Sequence, residues 1–246
     1  MNKERTSCRV LNRDEIKCFA MFAMLLNHIA NIFLTPGTLL AELFLDIGYF
    51  TAITMCYFLV EGYRYTHSKK QYGMRLLLFA LLSQFPFSFA FRHGSGLSMI
   101  YTLFVCFLIL VVREKITDIE LQNLLVLFLI LATGMGDWPF FAAVFVIMFD
   151  IAGDDTKKFW QTYLVGIIGF GLLNFMSYVT QFSVIKAFVC AAGACLGMFA
   201  SGLTIRYLYN GKRAVHGRNI SKWFFYLFYP AHLLVLGMID RLLFSI

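Results

Sequence analysis

Long apolar runs, separated by short polar or basic breaks, occupy residues 16–34, 43–63, 74–91, 98–112, 121–135, 138–151, 159–178, 184–205 and 223–244. The hydrocarbon core of a bilayer takes about 20 apolar residues per helix. The pattern therefore predicts an all-α, polytopic integral membrane bundle of about nine transmembrane helices. The fifth and sixth runs are short for full crossings and flank GMGDWP, where Gly134, Gly136 and Pro139 interrupt the apolar pattern. Residues 121–151 thus make either two crossings or a re-entrant element, and both options preserve the orientation of the later helices. Little chain is left for a soluble domain, so a single domain is expected over 1–246, with 1–15 as a tail.

Composition sharpens this picture. The chain is 60% apolar with 28 Phe, 14% charged, and has a mean hydropathy of +0.73, well beyond the roughly half-apolar make-up of soluble domains. Of its 21 Lys and Arg residues, 18 fall at alternate ends of the runs, around 3–17, 64–75, 113–115, 157–158 and 206–222; Arg92, Lys186 and Arg241 fall at the others. By the positive-inside rule the N-terminus is cytoplasmic and the C-terminus external, which needs an odd number of crossings. The net charge of +7 then reads as topology and affinity for anionic lipid, not nucleic-acid binding. The plasma membrane is the expected location. The basic lead and first apolar run imitate a signal peptide, but the run is too long and lacks a small-residue cleavage site, so it is read as a retained helix. Cysteines at 8, 18, 56, 106, 190 and 195 show no metal-type CxxC spacing, and neither a metal nor a disulfide framework is expected.

Polar residues inside the apolar runs mark the candidate site, because ionisable groups in hydrocarbon are costly. His28, flanked by Asn27 and Asn31, lies twelve residues into the first run, about 18 Å deep at 1.5 Å per residue. His232 lies ten residues beyond Lys222, about 15 Å deep by the same rise. Both imidazoles fall near the bilayer midplane. Pro230 kinks the last helix just before His232. Ser83 and Gln84 sit midway along the third run beside Pro86, Asp137 sits in the GMGDWP interruption, and Asp46 lies near the external end of the second run. Glu61 and Arg64, spaced to share a helical face, read as an interfacial ion pair. A membrane histidine also serves as a plain interhelical contact worth about 0.6 kcal/mol, and His67, His93 and His216 fall in polar loops. Gly193 and Gly197 form a GxxxG that permits close helix packing.

These segments carry a resemblance. AMLLNHIANIF, FLVEGYRYTHSKKQYGMRLLLFALLSQFPFSFAF, MIYTLF, GDWPFF and FYPAHLLVL, in that order from about residue 13 to 240, resemble the TraX family of membrane proteins, whose named member is linked to acetylation of the N-terminus of a conjugative pilin. The most specific part is VEG, Arg75 and SQ-x-PF in sequence. The spacing from Lys17 to His28 is similar to the basic-x10-His arrangement of membrane acyltransferases that O-acetylate surface sugars, where the first position is usually Arg and the histidine is catalytic. The TraX pattern usually has Asp before this histidine; here Asn27 stands there.

The resemblance implies an acyltransferase taking acetyl-CoA, or another acyl-CoA, from the cytoplasm and delivering the acyl group to an unidentified envelope acceptor: a glycan, a glycolipid or a pilin-like N-terminus. The residue chemistry is compatible. Lys17, Arg64 and Arg75 are candidates for the phosphates of the donor, His28 for the general base, and Ser83, Gln84 or Asn27 for donors to the developing oxyanion. His232 and Asp137 complete the candidate catalytic set. Direct transfer and a covalent acyl-histidine are both open. The alternative function is a proton-coupled transporter using His28 and His232 as a relay. Against it, only one broken element is visible, where a two-fold transporter shows a matched pair.

Overall fold

The structure, a computed structural model, describes residues 9–91, 96–213 and 218–244, with the backbone alone at 218–222 and 244. Lys3, Arg5, Cys8, Arg92, His93 and His216 lie outside the described residues. Within them the chain forms nine α-helices: α1 (Arg13–Phe33), α2 (Leu39–Tyr65), α3 (Lys69–Ala90), α4 (Met99–Lys115), α5 (Ile119–Thr133), α6 (Phe141–Ala152), α7 (Thr156–Val179), α8 (Val184–Leu203) and α9 (Arg218–Phe244). Six are long and apolar enough to cross a bilayer: α1, α2, α3, α7, α8 with the π-helical turn that extends it, and α9. The chain is a helical membrane protein.

The polar breaks between apolar runs supply the helix starts. Asn12 accepts hydrogen bonds from the Asp14 and Glu15 amides (2.9 and 3.1 Å), while its own amide donates to the Glu15 carboxylate at 2.7 Å; this capping box satisfies donors that hydrocarbon could not. Ser68, Asp118, Asp155 and Ser183 cap α3, α5, α7 and α8 in the same way. Apolar side chains such as Phe19, Phe22, Leu81, Phe85, Phe128, Leu172 and Phe188 face outward and are more than half exposed, as expected of a lipid-facing belt.

The central helix is α2. It packs on α1, α4, α6 and α8, while α1–α9–α3–α4–α6–α7–α8 run around it, each touching the next, and α5 lies outside against α4. Backbone approach between α2 and α8 is set by the GxxxG: a Cβ on Gly193 would sit 2.0 Å from Asp46 Oδ2, and one on Gly197 would sit 1.8 Å from the Asp46 carbonyl oxygen. Beyond this crossing, Thr54 of α2 and Tyr163 of α7 both hydrogen-bond Ser201 of α8 (2.9 and 3.0 Å), so buried hydroxyls satisfy one another where three helices meet.

α5 and α6 are separate helices of 15 and 12 residues joined by the GMGDWP turn, which is pinned to the start of α4. The Leu97 amide donates to the Met135 carbonyl (2.7 Å), the Asp137 amide to the Leu97 carbonyl (2.8 Å) and the Thr102 hydroxyl to the Asp137 carbonyl (2.7 Å). Gly136 permits this contact, because a Cβ there would meet Thr102 Oγ1 at 2.2 Å. Trp138 and Phe140 adopt positive φ (60° and 62°), a strained conformation costing about 1–3 kcal/mol per non-glycine residue. The turn is thus over-determined from both sides.

The α2–α8 contact gives the first prediction. Gly197→Val should lower the thermal midpoint in detergent, corresponding to about 1–3 kcal/mol for overpacking. Gly169→Ala is the control, since its Cβ would make an ordinary 3.7 Å contact with Phe141. Equal midpoints for the two variants would refute the close approach.

Candidate active site: a histidine pair between two cavities

One face of α1 builds most of the site. Arg13, Lys17, Met21 and Met24, at spacings of three and four residues, line one cavity, and His28, Asn31 and Ile32 continue the stripe into a second. From Arg13 to His28 the helix rises about 22 Å. The stripe runs from cations through thioethers to an imidazole.

His28 is 5% exposed and His232 of α9 is 7% exposed. Their rings lie parallel within 6°, with centroids 5.0 Å apart, and His28 Nδ1 is 2.7 Å from His232 Nε2. His232 Nδ1 lies 2.7 Å from the Phe228 carbonyl oxygen. A carbonyl only accepts, so His232 Nδ1 carries a proton. With both rings neutral, His232 Nε2 is then the acceptor, His28 Nδ1–H the donor, and His28 Nε2 is left with its lone pair. The local backbone of α9 thereby sets which nitrogen of His28 is basic. Phe91 and Tyr229 meet the His28 ring edge-on at 5.5 and 6.1 Å and fix its orientation.

The first cavity, about 430 Å³, lies among α1, α2, α3, α4 and α9 on the side of the bundle that holds the basic helix ends. Arg13, Lys17, Arg75 and Arg213 stand in its wall with Asp14; deeper in, Met21, Met24, Met55, Leu59, Ile100 and Leu103 make it apolar, and Tyr229 lines its wall beside His28. Arg13 is held by Glu61 (3.4 Å) and donates to the Phe58 carbonyl at 2.9 Å. Lys17 lies over the Phe58 and Phe225 rings, at 5.8 and 5.2 Å. Arg75 lies over the Tyr72 ring at 5.8 Å, and its Nε is buried without a partner. The second cavity, about 540 Å³, is lined by Asn27, His28, Asn31, Phe91, Asp137 and Asp240 among others. His28 therefore borders this cavity, Tyr229 borders the first, and their ring contact is the partition between them.

The structure gathers His28, His232, Asn27 and Asp137 around the second cavity and the partition, and Lys17 and Arg75 around the first. It does not bring Arg64 there. Arg64 donates to the Phe149 carbonyl at 3.3 Å and pairs with Asp150 (3.5 Å), which also binds Arg113 (3.1 Å). The expected Glu61–Arg64 pair is accordingly replaced: Glu61 binds Arg13 and accepts the Tyr209 hydroxyl at 2.7 Å, because neighbouring helices offer closer partners than the next turn of α2. Gln84 is a clamp rather than a free donor. Its Nε2 donates to Ser88 Oγ (3.1 Å) and the Gly96 carbonyl (3.3 Å), and its Oε1 accepts the Ser98 amide (3.1 Å), holding the residues that start α4. Ser83 is fully buried, and its hydroxyl has no partner. Asn27 accepts both hydrogen bonds of Asn31 Nδ2 (2.9 and 3.0 Å) and packs against Gly48, where a Cβ would lie 2.4 Å from its own Cβ.

Tyr229, Asp240 and Arg213 join the site without having stood out in the sequence. Tyr229 carries a usable signal, standing three residues before His232 and so beside it on the helix; Asp240 and Arg213 give no local signal. Among the described residues no group of three or more His, Cys, Asp and Glu is disposed to hold a metal.

The TraX protein family model matches residues 12–240. A probable fimbrial assembly protein, FimC of serogroup H1, from Dichelobacter nodosus is 26% identical over 233 residues, covering 90% of this chain and 93% of that protein. No solved structure matches. With the family match spanning nearly the whole chain, including both histidines, both cavities and the GMGDWP turn, the protein belongs to the TraX family.

Proposed function

We propose that this protein is a membrane-embedded acyltransferase of the plasma membrane, with its basic face in the cytoplasm, moving an acetyl group from acetyl-CoA to an acceptor on the far side. The observation that carries this reading is the position of His28, with a free Nε2, between a cation-walled apolar cavity and an acid-lined one. The first cavity suits the donor: Lys17, Arg75 and Arg213 can meet phosphates at its wall, and its methionine-lined depth suits a pantetheine arm and thioester. The second suits an acceptor approaching from outside, and Asp137 and Asp240 favour one bearing a positive charge, such as a peptide amine, over an anionic glycan. The fimbrial assembly protein among its relatives supports a pilin-like N-terminus as that acceptor.

In this mechanism the acceptor ammonium first gives one proton to external solvent, and the lone pair of the neutral amine then attacks the thioester carbonyl while His28 Nε2 takes the second proton. The C–S bond then breaks, and the proton passes from His28 to the departing thiolate, giving the acylated acceptor and CoA. His232 holds the tautomer, its Nε2 accepting the hydrogen bond from His28 Nδ1–H throughout. The transport reading uses the same pair, since the hydrogen bond between the rings is itself a relay; proteoliposomes separate the two. With labelled acetyl-CoA and a peptide carrying a free N-terminal amine, transfer of label supports the enzyme, whereas proton-coupled uptake without CoA release overturns it.

His28→Ala should reduce transfer by about 10²–10⁴-fold, the usual contribution of a general base; undiminished turnover in a folded variant would remove His28 from the chemistry. His232→Ala should lower kcat by about tenfold or more at unchanged KM for acetyl-CoA, with partial recovery in His232→Gln, whose carbonyl oxygen can accept the same proton. If both variants behave alike, tautomer control is excluded. Arg75→Ala should raise KM for acetyl-CoA by about tenfold, as for loss of a charged hydrogen bond, and flatten its dependence on salt; a KM that neither rises nor loses its salt dependence would place the phosphates elsewhere.

A further inference from the structure

An acyl transfer needs a hydrogen-bond donor for the oxyanion that forms when the carbonyl is attacked, and the donors expected from sequence are not offered to the donor-side cavity: Gln84 clamps the start of α4, the Asn27 side chain packs against Gly48, and Ser83, though unpartnered, lines neither cavity. Tyr229 is placed differently. Its hydroxyl accepts the Met99 amide, the first N–H of α4, at 3.2 Å. Its own proton meets no acceptor among the described residues, although the side chain is only 4% exposed. A buried donor without an acceptor is costly, and Tyr229 lines the donor-side cavity with its ring against both histidines, at 6.1 and 5.7 Å. The surroundings strengthen the case. The positive end of α4 abuts the phenolic oxygen, and Ser98, which precedes α4, is fully buried with an unpartnered hydroxyl.

Resting on the acyltransferase reading above, we infer that Tyr229 is a catalytic residue whose hydroxyl donates to the thioester carbonyl oxygen, with the N-terminal turn of α4 stabilising the charge it shares. As the acceptor's lone pair forms the new bond to carbon, the carbonyl π pair moves onto oxygen and is held by the Tyr229 O–H. On collapse that pair returns, the C–S bond breaks, and the sulfur leaves with its electrons and takes the proton carried by His28. Tyr229 keeps its proton and acts only through the hydrogen bond.

The test uses the reconstituted full chain with labelled acetyl-CoA and the amine peptide. Tyr229→Phe should lose about 10²-fold in kcat with KM for acetyl-CoA changed less than about twofold, and with the thermal midpoint kept within the range of other single core variants. A second readout needs no turnover. In His28→Ala, bound acetyl-CoA labelled with carbon-13 at the carbonyl should show its stretch moved to lower frequency than in solution; adding Tyr229→Phe should abolish the shift, and 3,5-difluorotyrosine at position 229, a stronger donor of the same shape, should enlarge it. If Tyr229→Phe does not fold, the fluorinated protein still decides the matter, and an unchanged stretch overturns the proposal. A wild-type protein that transfers label while Tyr229→Phe retains full kcat also overturns it and leaves the acyltransferase reading standing. A wild-type protein that releases no CoA with either the amine peptide or a polysaccharide hydroxyl overturns both.

Discussion

The bond between His28 and His232 joins residues 204 positions apart in the chain, and the arrangement of the site depends on it. Among the described residues neither imidazole has another side-chain hydrogen-bond partner, and both sit in surroundings where an unsatisfied polar group costs several kcal/mol. α1 and α9 must therefore meet at this depth. That requirement fixes the gap between them, which α3 closes by stacking Phe79 on Tyr226, with centroids 4.6 Å apart, and by seating Phe89 over Gly237, where a Cβ would lie 2.5 Å away. The cation-walled cavity is the space left inside α1, α2, α3, α4 and α9 once the histidines have paired.

The pairing also explains why polar groups elsewhere in the bundle are mostly clamps. Hydroxyls and amides take backbone partners, Gln84 on Gly96 and Ser98 and Thr102 on Asp137 where the chain leaves a helix, and Thr51 on the mid-helix Ala20 carbonyl at 2.6 Å. These contacts place irregular backbone only where protein covers it or a cavity adjoins it. They also bring the start of α4 and the GMGDWP turn to the level of the histidines, one on each side of the partition. Ser83 Oγ and Arg75 Nε of α3, Ser98 Oγ before α4 and Asn174 Oδ1 of α7 depart from this pattern by lacking partners.

Much of this is legible in the sequence because hydrophobic runs answer directly to the bilayer. The long runs form α1, α2, α3, α7, α8 and α9, and the interruption at Gly134–Pro139 forms a turn between two short helices. His28 and His232 stand out because an ionisable group in an apolar run is rare. Partners are less visible. Glu61 and Arg64 are one turn apart on α2, yet each is satisfied from another helix, by Arg13 and Asp150, because in a tightly packed bundle the nearest charge lies across the interface. Gln84 reads as a site donor, since sequence gives no sign that Gly96 and Ser98 will fold back onto it. Tyr229 is hidden among 28 Phe and 12 Tyr residues, where an aromatic at helical spacing is ordinarily packing.

The residue before His28 has a different role from the one its position suggests. An aspartate there would naturally be assigned to stabilising a charged imidazole, and Asn27 would then leave a weakened base. The geometry argues otherwise. Position 27 points toward α2, against Gly48, and its amide oxygen is taken by Asn31, while the His28 nitrogen that a carboxylate would orient is already bonded to His232. What position 27 does share with His28 is the wall of the second cavity, together with Asp137 and Asp240. A carboxylate at 27 would therefore add charge to that cavity rather than to the imidazole, whose tautomer stays where α9 sets it.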